Sequence, residues 1–205
     1  MEPAEPTRRL SGLDEGVAEI RRRAREIARK PLVVGITGAV GSGKSTLASR
    51  LVHSHGACLV PTDAYLPDYD QVPELERDLP HHADLDLLAR NIDNLRSAGR
   101  TLIPVWSFHS HRREGTREVT LQGTIIVIEG IHALDDRVHE HLDLRVLVEA
   151  PQEIRWARWE RIESSGERGW GVERARDHFD RVAEPTYAAR AERIRQLADI
   201  IVLNT

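Results

Sequence analysis

The stretch GITGAVGSGKST, residues 35–46, decides how the rest of the chain is read. Within it, Gly38-Ala39-Val40-Gly41-Ser42-Gly43-Lys44-Ser45 fits the spacing G-x-x-x-x-G-K-[ST], and Thr46 follows directly. The run LVVGIT (32–37) has the apolar, β-branched character of a buried strand, and residues 44–54 read as a helix. Glycines at such a turn let successive N–H groups face a phosphate, and the helix N-terminus adds partial positive charge. Lys44 is one of two lysines in the chain, Lys30 being the other. A compact ammonium on a flexible stem suits a phosphate in a tight loop better than a planar guanidinium does. The stretch therefore predicts a nucleoside triphosphate site. Residues 38–46 would cradle ATP, Lys44 would reach the β- and γ-phosphates, and the Ser45 hydroxyl would ligate Mg²⁺.

Outward from this loop the chain alternates. ACLV (57–60), TLIPVW (101–106), TIIVIE (124–129), LRVLVE (144–149) and DIIVL (199–203) read as further strands. Residues 84–97, 152–164, 172–183 and 186–197 read as helices between them. Nearly unbroken apolar strands alternating with helices predict an α/β fold, a doubly wound parallel sheet with helices on both faces. It is of the P-loop NTP hydrolase/kinase type, with five strands or slightly more. Ahead of it, residues 1–10 are Pro- and Glu-rich and read as a frayed terminus. Leu13, Val17, Ile20, Ala24 and Ile27 recur at helical spacing in 11–30. The expected organisation is an N-terminal extension with an amphipathic helix (1–30) and one kinase domain (31–205), with a lid around 155–171.

The composition narrows the partners. The net charge of −4 over 205 residues gives no electrostatic ground for nucleic acid or an acidic membrane surface. No apolar run approaches a membrane span and the first residues lack signal-peptide order, so a cytoplasmic protein is expected. Cys58 is the one cysteine, which rules out an intramolecular disulfide. Ten histidines include the i, i+2 pairs His53/His55, His109/His111 and His139/His141, none with a nearby third ligand in sequence. His81 and His82 lie beside Asp78.

Two acids stand where this fold gathers ligands, past the carboxyl ends of strands. Asp63, in VPTDAYLPDY (60–69), could accept the proton of an attacking hydroxyl, with Tyr65 lining an acceptor pocket. Glu129 ends the buried run TIIVIEG and is placed to orient Mg²⁺. No N-K-x-D guanine-reading stretch exists, since no lysine follows Lys44, which argues against a GTPase.

These motifs, in this order, resemble the uridine kinase and phosphoribulokinase family of P-loop kinases. The resemblance runs from Pro31 to the C-terminus. It rests on GAVGSGKST; TDAY; DLPHHAD (78–84), similar to Asp-His-Pro-x-x-x-Asp; IPVWSFHSHRR (103–113), similar to Ile-Pro-x-Tyr-Asp-Phe-x-x-His-x-Arg; and IIVIEGIHAL (125–134). It implies that Asp63 is the catalytic base and that Tyr65, Asp78, Trp106, Phe108 and His111 line the acceptor pocket. It also implies that lid arginines, Arg158, Arg161 and Arg168, neutralise charge on the ATP phosphates. Trp106, Ser107 and Trp170 depart from the uridine kinase pattern of tyrosine, aspartate and arginine. The expected activity is ATP-dependent phosphorylation of a small-molecule hydroxyl, that of a uridine- or cytidine-like nucleoside. A sugar or sugar-phosphate kinase of the same family is the first alternative, and an ATP-binding regulatory protein without transferase activity the second. Oligomeric state, including a homo-oligomer, stays open.

Overall fold

A computed structural model describes residues 7–205. Six strands form one parallel sheet: β1 (Arg8–Ser11), β2 (Leu32–Thr37), β3 (Cys58–Pro61), β6 (Ile125–Glu129), β7 (Leu144–Glu149) and β8 (Ile200–Leu203). Their order across the sheet is β1-β8-β7-β2-β6-β3. The helices are α1 (Leu13–Glu26), α2 (Lys44–His55), α3 (Leu85–Ala98), α4 (Gln152–Ser164), α5 (Val172–His178) and α6 (Glu184–Leu197). The doubly wound α/β fold expected from the alternation is the one observed.

Because side chains alternate across a strand, each apolar run supplies both faces at once. In β6, Ile125 and Val127 join a core with Leu47 and Leu51 of α2 and Ile20 of α1. Ile126 and Ile128 face the opposite way, among Leu88, Ile92 and Leu95 of α3. That double burial is why the inner strands carry almost no polar residue.

Three elements differ from the sequence expectation. Residues 8–10, read as frayed, and Ser11, read with the helical stretch, form edge strand β1, paired with β8 from Arg8↔Ile200 to Ser11↔Leu203; residues 1–6 lie outside the described residues. The segment read as a strand over 101–106 is β4 (Arg100–Ser107), which does not join the parallel sheet. It pairs antiparallel with β5 (Arg112–Thr120), a mostly exposed strand whose composition RREGTREVT hid it. The helix read over 172–183 is α5 followed by a π-helical turn, Phe179–Ala183, that runs into α6 with Pro185 in its first turn. Proline lacks the N–H for an i→i−4 bond, and the wider π-helical turn directly before it is where the continuous helix accommodates that loss.

Among the described residues no helix is long and apolar enough to cross a membrane.

Candidate active site

The sheet brings the two acids and the glycine loop to one edge. In register, Ile36 and Pro61 both lie opposite Glu129. The loop after β2, the carboxylate ending β6 and the 3₁₀ turn Thr62–Tyr65 after β3 therefore start side by side.

The glycine loop is held from behind. Arg158 of α4 donates from Nη1 to the carbonyls of Gly41 and Ser42, both at 3.2 Å, and from Nη2 to Asn204 O at 3.2 Å. Asn204 Nδ2 donates to Ser42 O at 2.8 Å. Since a trans peptide sets its N–H opposite its C=O, a Ser42 carbonyl drawn backward turns the Gly43 N–H toward the cradle. Gly43 has φ +100°, and a Cβ there would stand 2.2 Å from Asn204 Nδ2, so only glycine is accommodated. Helix α2 then opens at Lys44 with no acidic side chain in its first turn. Such an end is suited to anions.

A cavity of about 690 Å³ lies over this loop. Its inner end is lined by Lys44, Ser45 and Asp63, and its outer end by Asp78, Phe108, His111 and Arg168. The structure thus gathers these seven residues, all singled out in the sequence, together with Val40 of the glycine loop, into one space. Glu129 sits just beneath, buried, its Oε1 accepting a 3.0 Å hydrogen bond from Ser45 Oγ. Burial pushes the Asp63 carboxyl above the ordinary range; Asp78 adds to this, while Lys44 and Arg168 oppose it. Burial likewise raises Glu129, against Lys44 and the Ser45 hydrogen bond. His111 is pushed below its ordinary value, chiefly by burial, which favours a neutral ring.

Four of the expected site residues are placed elsewhere. Tyr65 is fully buried in the core, where its hydroxyl accepts 2.9 Å from Asn91 Nδ2; burial raises its phenol to about 12. Trp106 does not line the cavity but packs on Tyr69, which does (ring centroids 5.1 Å apart). Arg158 is committed to the loop carbonyls described above. Arg161 is exposed on α4 and lines no part of the cavity. Of the three lid arginines only Arg168 enters it, its guanidinium 4.6 Å from the centre of the Phe108 ring.

Eight lining residues were not assigned to the site from sequence, among them Tyr69, Trp159, Glu163, Trp170 and His178. Tyr69, His111 and Trp170 meet as a triangle of rings with centroids 5.4, 5.1 and 6.3 Å apart. Trp170 also touches His178 of α5 (4.7 Å) and Trp159 of α4 (6.5 Å). Glu163, buried, accepts from Trp159 Nε1 at 3.0 Å and from the Trp170 backbone N–H at 3.2 Å. His178 Nε2 lies 3.6 Å from Asp78 Oδ2. A tryptophan after E-R-G marks only a flat apolar group. Its partners Tyr69 and His111 lie 101 and 59 residues away in sequence, and no local spacing reveals them.

A glycine loop on a strand-to-helix turn, two acids just past strand ends and Arg168 over one cavity form a kinase constellation. The profile of the phosphoribulokinase / uridine kinase family matches residues 33–205. The chain belongs to that family. It is 31% identical over 183 residues to a uridine kinase of Clostridium botulinum (strain 657 / Type Ba4), covering 85% of this chain and 88% of that one. To a uridine kinase of Halobacterium salinarum it is 35% identical over 178 residues, covering 82% and 78%. Among solved structures, a protein described as a possible uridine kinase from Bacillus stearothermophilus superposes with TM-score 0.61 at 19% identity, covering 93% of this chain and 98% of that one. As a member of this family the chain is a P-loop kinase, a phosphotransferase acting on a hydroxyl group.

Proposed function

We propose that this family member transfers the γ-phosphoryl of Mg²⁺–ATP to a hydroxyl of an uncharged nucleoside, uridine or cytidine in type. The observation that carries the reading is the charge balance of the cavity. Three carboxylates, Asp63, Asp78 and Glu163, line it against two cations, Lys44 and Arg168. Both cations are assigned to the phosphates of the donor, so an acceptor bearing its own phosphate meets only acid and aromatic wall. Sugar phosphates are disfavoured on that ground. The ring wall of Tyr69, Phe108, His111 and Trp170 suits a flat base, and Asp78 suits ribose hydroxyls.

In the proposed step Asp63 accepts the proton of the acceptor hydroxyl as its oxygen bonds to the γ-phosphorus. The bond from phosphorus to the β,γ-bridging oxygen breaks, and ADP leaves. Lys44 and the Gly43 N–H hold the phosphates in line, and Arg168 balances charge on the transferring group. The oxygen-only pair Ser45 and Glu129 fits a hard cation, which when bound would neutralise the β- and γ-phosphate oxygens. Trp159, Trp170 and Glu163 roof the site and exclude water, so ATP is not spent on hydrolysis.

The test is ADP release with Mg²⁺–ATP across nucleosides, pentoses, hexoses and their monophosphates, with the rate lacking acceptor subtracted. Stimulation by uridine or cytidine is expected. Stimulation by sugar phosphates alone would overturn the charge argument.

A further inference from the structure

A second cluster of ligating side chains lies outside the cradle. Glu76, His81 and His82 each bring one metal-ligating atom to within 4.8 Å of the other two. Two short 3₁₀ turns create the meeting: Glu74–Glu76 and Pro80–His82. Leu79 N donates to Glu76 O at 2.9 Å, and His82 N donates to Leu79 O at 3.2 Å, so the chain doubles back on itself. Glu76 Oε2 lies 2.9 Å from His82 Nε2, and the two imidazole rings are 4.1 Å apart. The fold anchors the turn independently of these side chains, since Arg137 Nη2 donates to Pro80 O at 2.6 Å. His81 is exposed, which gives an ion direct access from solvent.

We propose that Glu76, His81 and His82 form a binding site for a divalent transition ion of the zinc, cobalt and nickel class. Two neutral imidazole nitrogens and one carboxylate oxygen suit such borderline ions, whereas a magnesium or calcium site wants oxygen alone. Tetrahedral zinc bonds of about 2.0–2.1 Å set ligand atoms roughly 3.3 Å apart, so Glu76 and His82, at 2.9 Å, lie near that spacing and side-chain rotation adjusts the three. The turn backbone need not move, because the exposed ring and the glutamate stem supply that rotation. Three protein ligands leave a coordination position for water.

The site has a consequence for the cavity. Asp78 lies between Glu76 and His81, so an ion bridging them closes a short loop around a residue that lines the acceptor space. Occupancy would restrict Asp78 and tie metal binding to acceptor binding, without touching the Mg²⁺ position at Ser45 and Glu129.

The probe is Co²⁺ alone, titrated into the full nucleotide-free chain and followed by its visible d–d absorption. One Co²⁺ per chain is expected, weakened at least about 10-fold by Glu76→Gln or His82→Ala and unchanged by the control His139→Ala. Metal-free Tm values establish that the variants fold. In the unmutated chain, paramagnetic broadening of imidazole proton signals must fall first on His81 and His82. That measurement decides the matter even where a variant does not fold. Cobalt binding that survives the double variant His81→Ala/His82→Ala, broadening that falls first elsewhere, or no binding at all overturns the proposal. None of these results bears on the kinase reading, which is tested without added transition metal.

Discussion

Ser45 Oγ donates a 3.0 Å hydrogen bond to Glu129 Oε1, joining the first turn of α2 to the end of β6. The carboxylate is buried and its pKa raised by that burial. A carboxyl that holds its proton more tightly folded than unfolded loses stability as pH rises from its unfolded value through its folded one. Ionised Glu129 therefore destabilises the nucleotide-free protein at neutral pH. Glu129→Gln is expected to raise Tm, with about 2–4 °C for each kcal/mol recovered, while lowering kcat about 10²-fold or more. Calorimetry at pH 7 and pH 5 checks this, since the Tm gain should shrink at the lower pH. A lower Tm for the variant at both values would refute it.

Arg158 and Arg168 separate two roles that the family resemblance assigned together. Arg158 holds two loop carbonyls and Asn204, so Arg158→Ala removes the side-chain donor from Gly41 O and Asn204 O and leaves Ser42 O with Asn204 Nδ2 alone. It should lower Tm and weaken ATP binding about 10-fold. Arg168→Ala should leave ATP affinity within about 3-fold and cut kcat by roughly 10² or more. Arg161→Ala, at an exposed position, should change neither. Calorimetric ATP titration with steady-state rates separates the three; equal kcat losses in all of them would count against the assignment.

How much of this was legible in the sequence follows from how local each signal is. The glycine loop, the buried strands and the strand-end acids Asp63 and Glu129 are fixed by neighbours within a few residues, and the structure brings them to one edge of the sheet. Strand β5 was hidden because a ribbon exposed on most of its length needs no apolar alternation. Tyr65 and Tyr69 could not be told apart from sequence. Both follow β3 closely, and only the Asn91 side chain, 26 residues away, shows which one is core. Arg158, Arg161 and Arg168 share one helix–loop segment, and their directions depend on how α4 leans on the glycine loop.

Asp63 and Asp78 face the same cavity, and the charge on Asp78 raises the Asp63 carboxyl beyond the effect of burial. Asp63 must be ionised to take a proton, so the acidic limb of kcat/KM should lie above the ordinary aspartate range of about 4. Removing the neighbouring charge with Asp78→Asn should move that limb to lower pH, although acceptor KM rises. The pH profile of kcat/KM, measured for both proteins with the acceptor found above, checks the direction. A limb moving upward would remove Asp63 from its role as base. Asp63→Asn, for its part, should abolish transfer and leave ATP binding largely intact.

Trp170 bridges helices α4 and α5 to the loops after β3 and β4, with Trp159 and His178 on one side and Tyr69 and His111 on the other. Its indole N–H has no acceptor, so the ring contacts and the backbone bond to Glu163 are what hold it. Aromatic pairs contribute about 0.5–1.5 kcal/mol each beyond burial, and about 1.4 kcal/mol is a factor of ten. Trp170→Ala should therefore raise acceptor KM about 10-fold or more and loosen the roof. Water then reaches the γ-phosphate, and ADP release without acceptor should rise. Trp170→Phe keeps a ring and gives up only the unpaired N–H, so it should restore most of the coupling. ADP release measured with and without acceptor in the three proteins checks this. An alanine variant that keeps both its acceptor KM and its low idle rate would mean that the lid closes without Trp170.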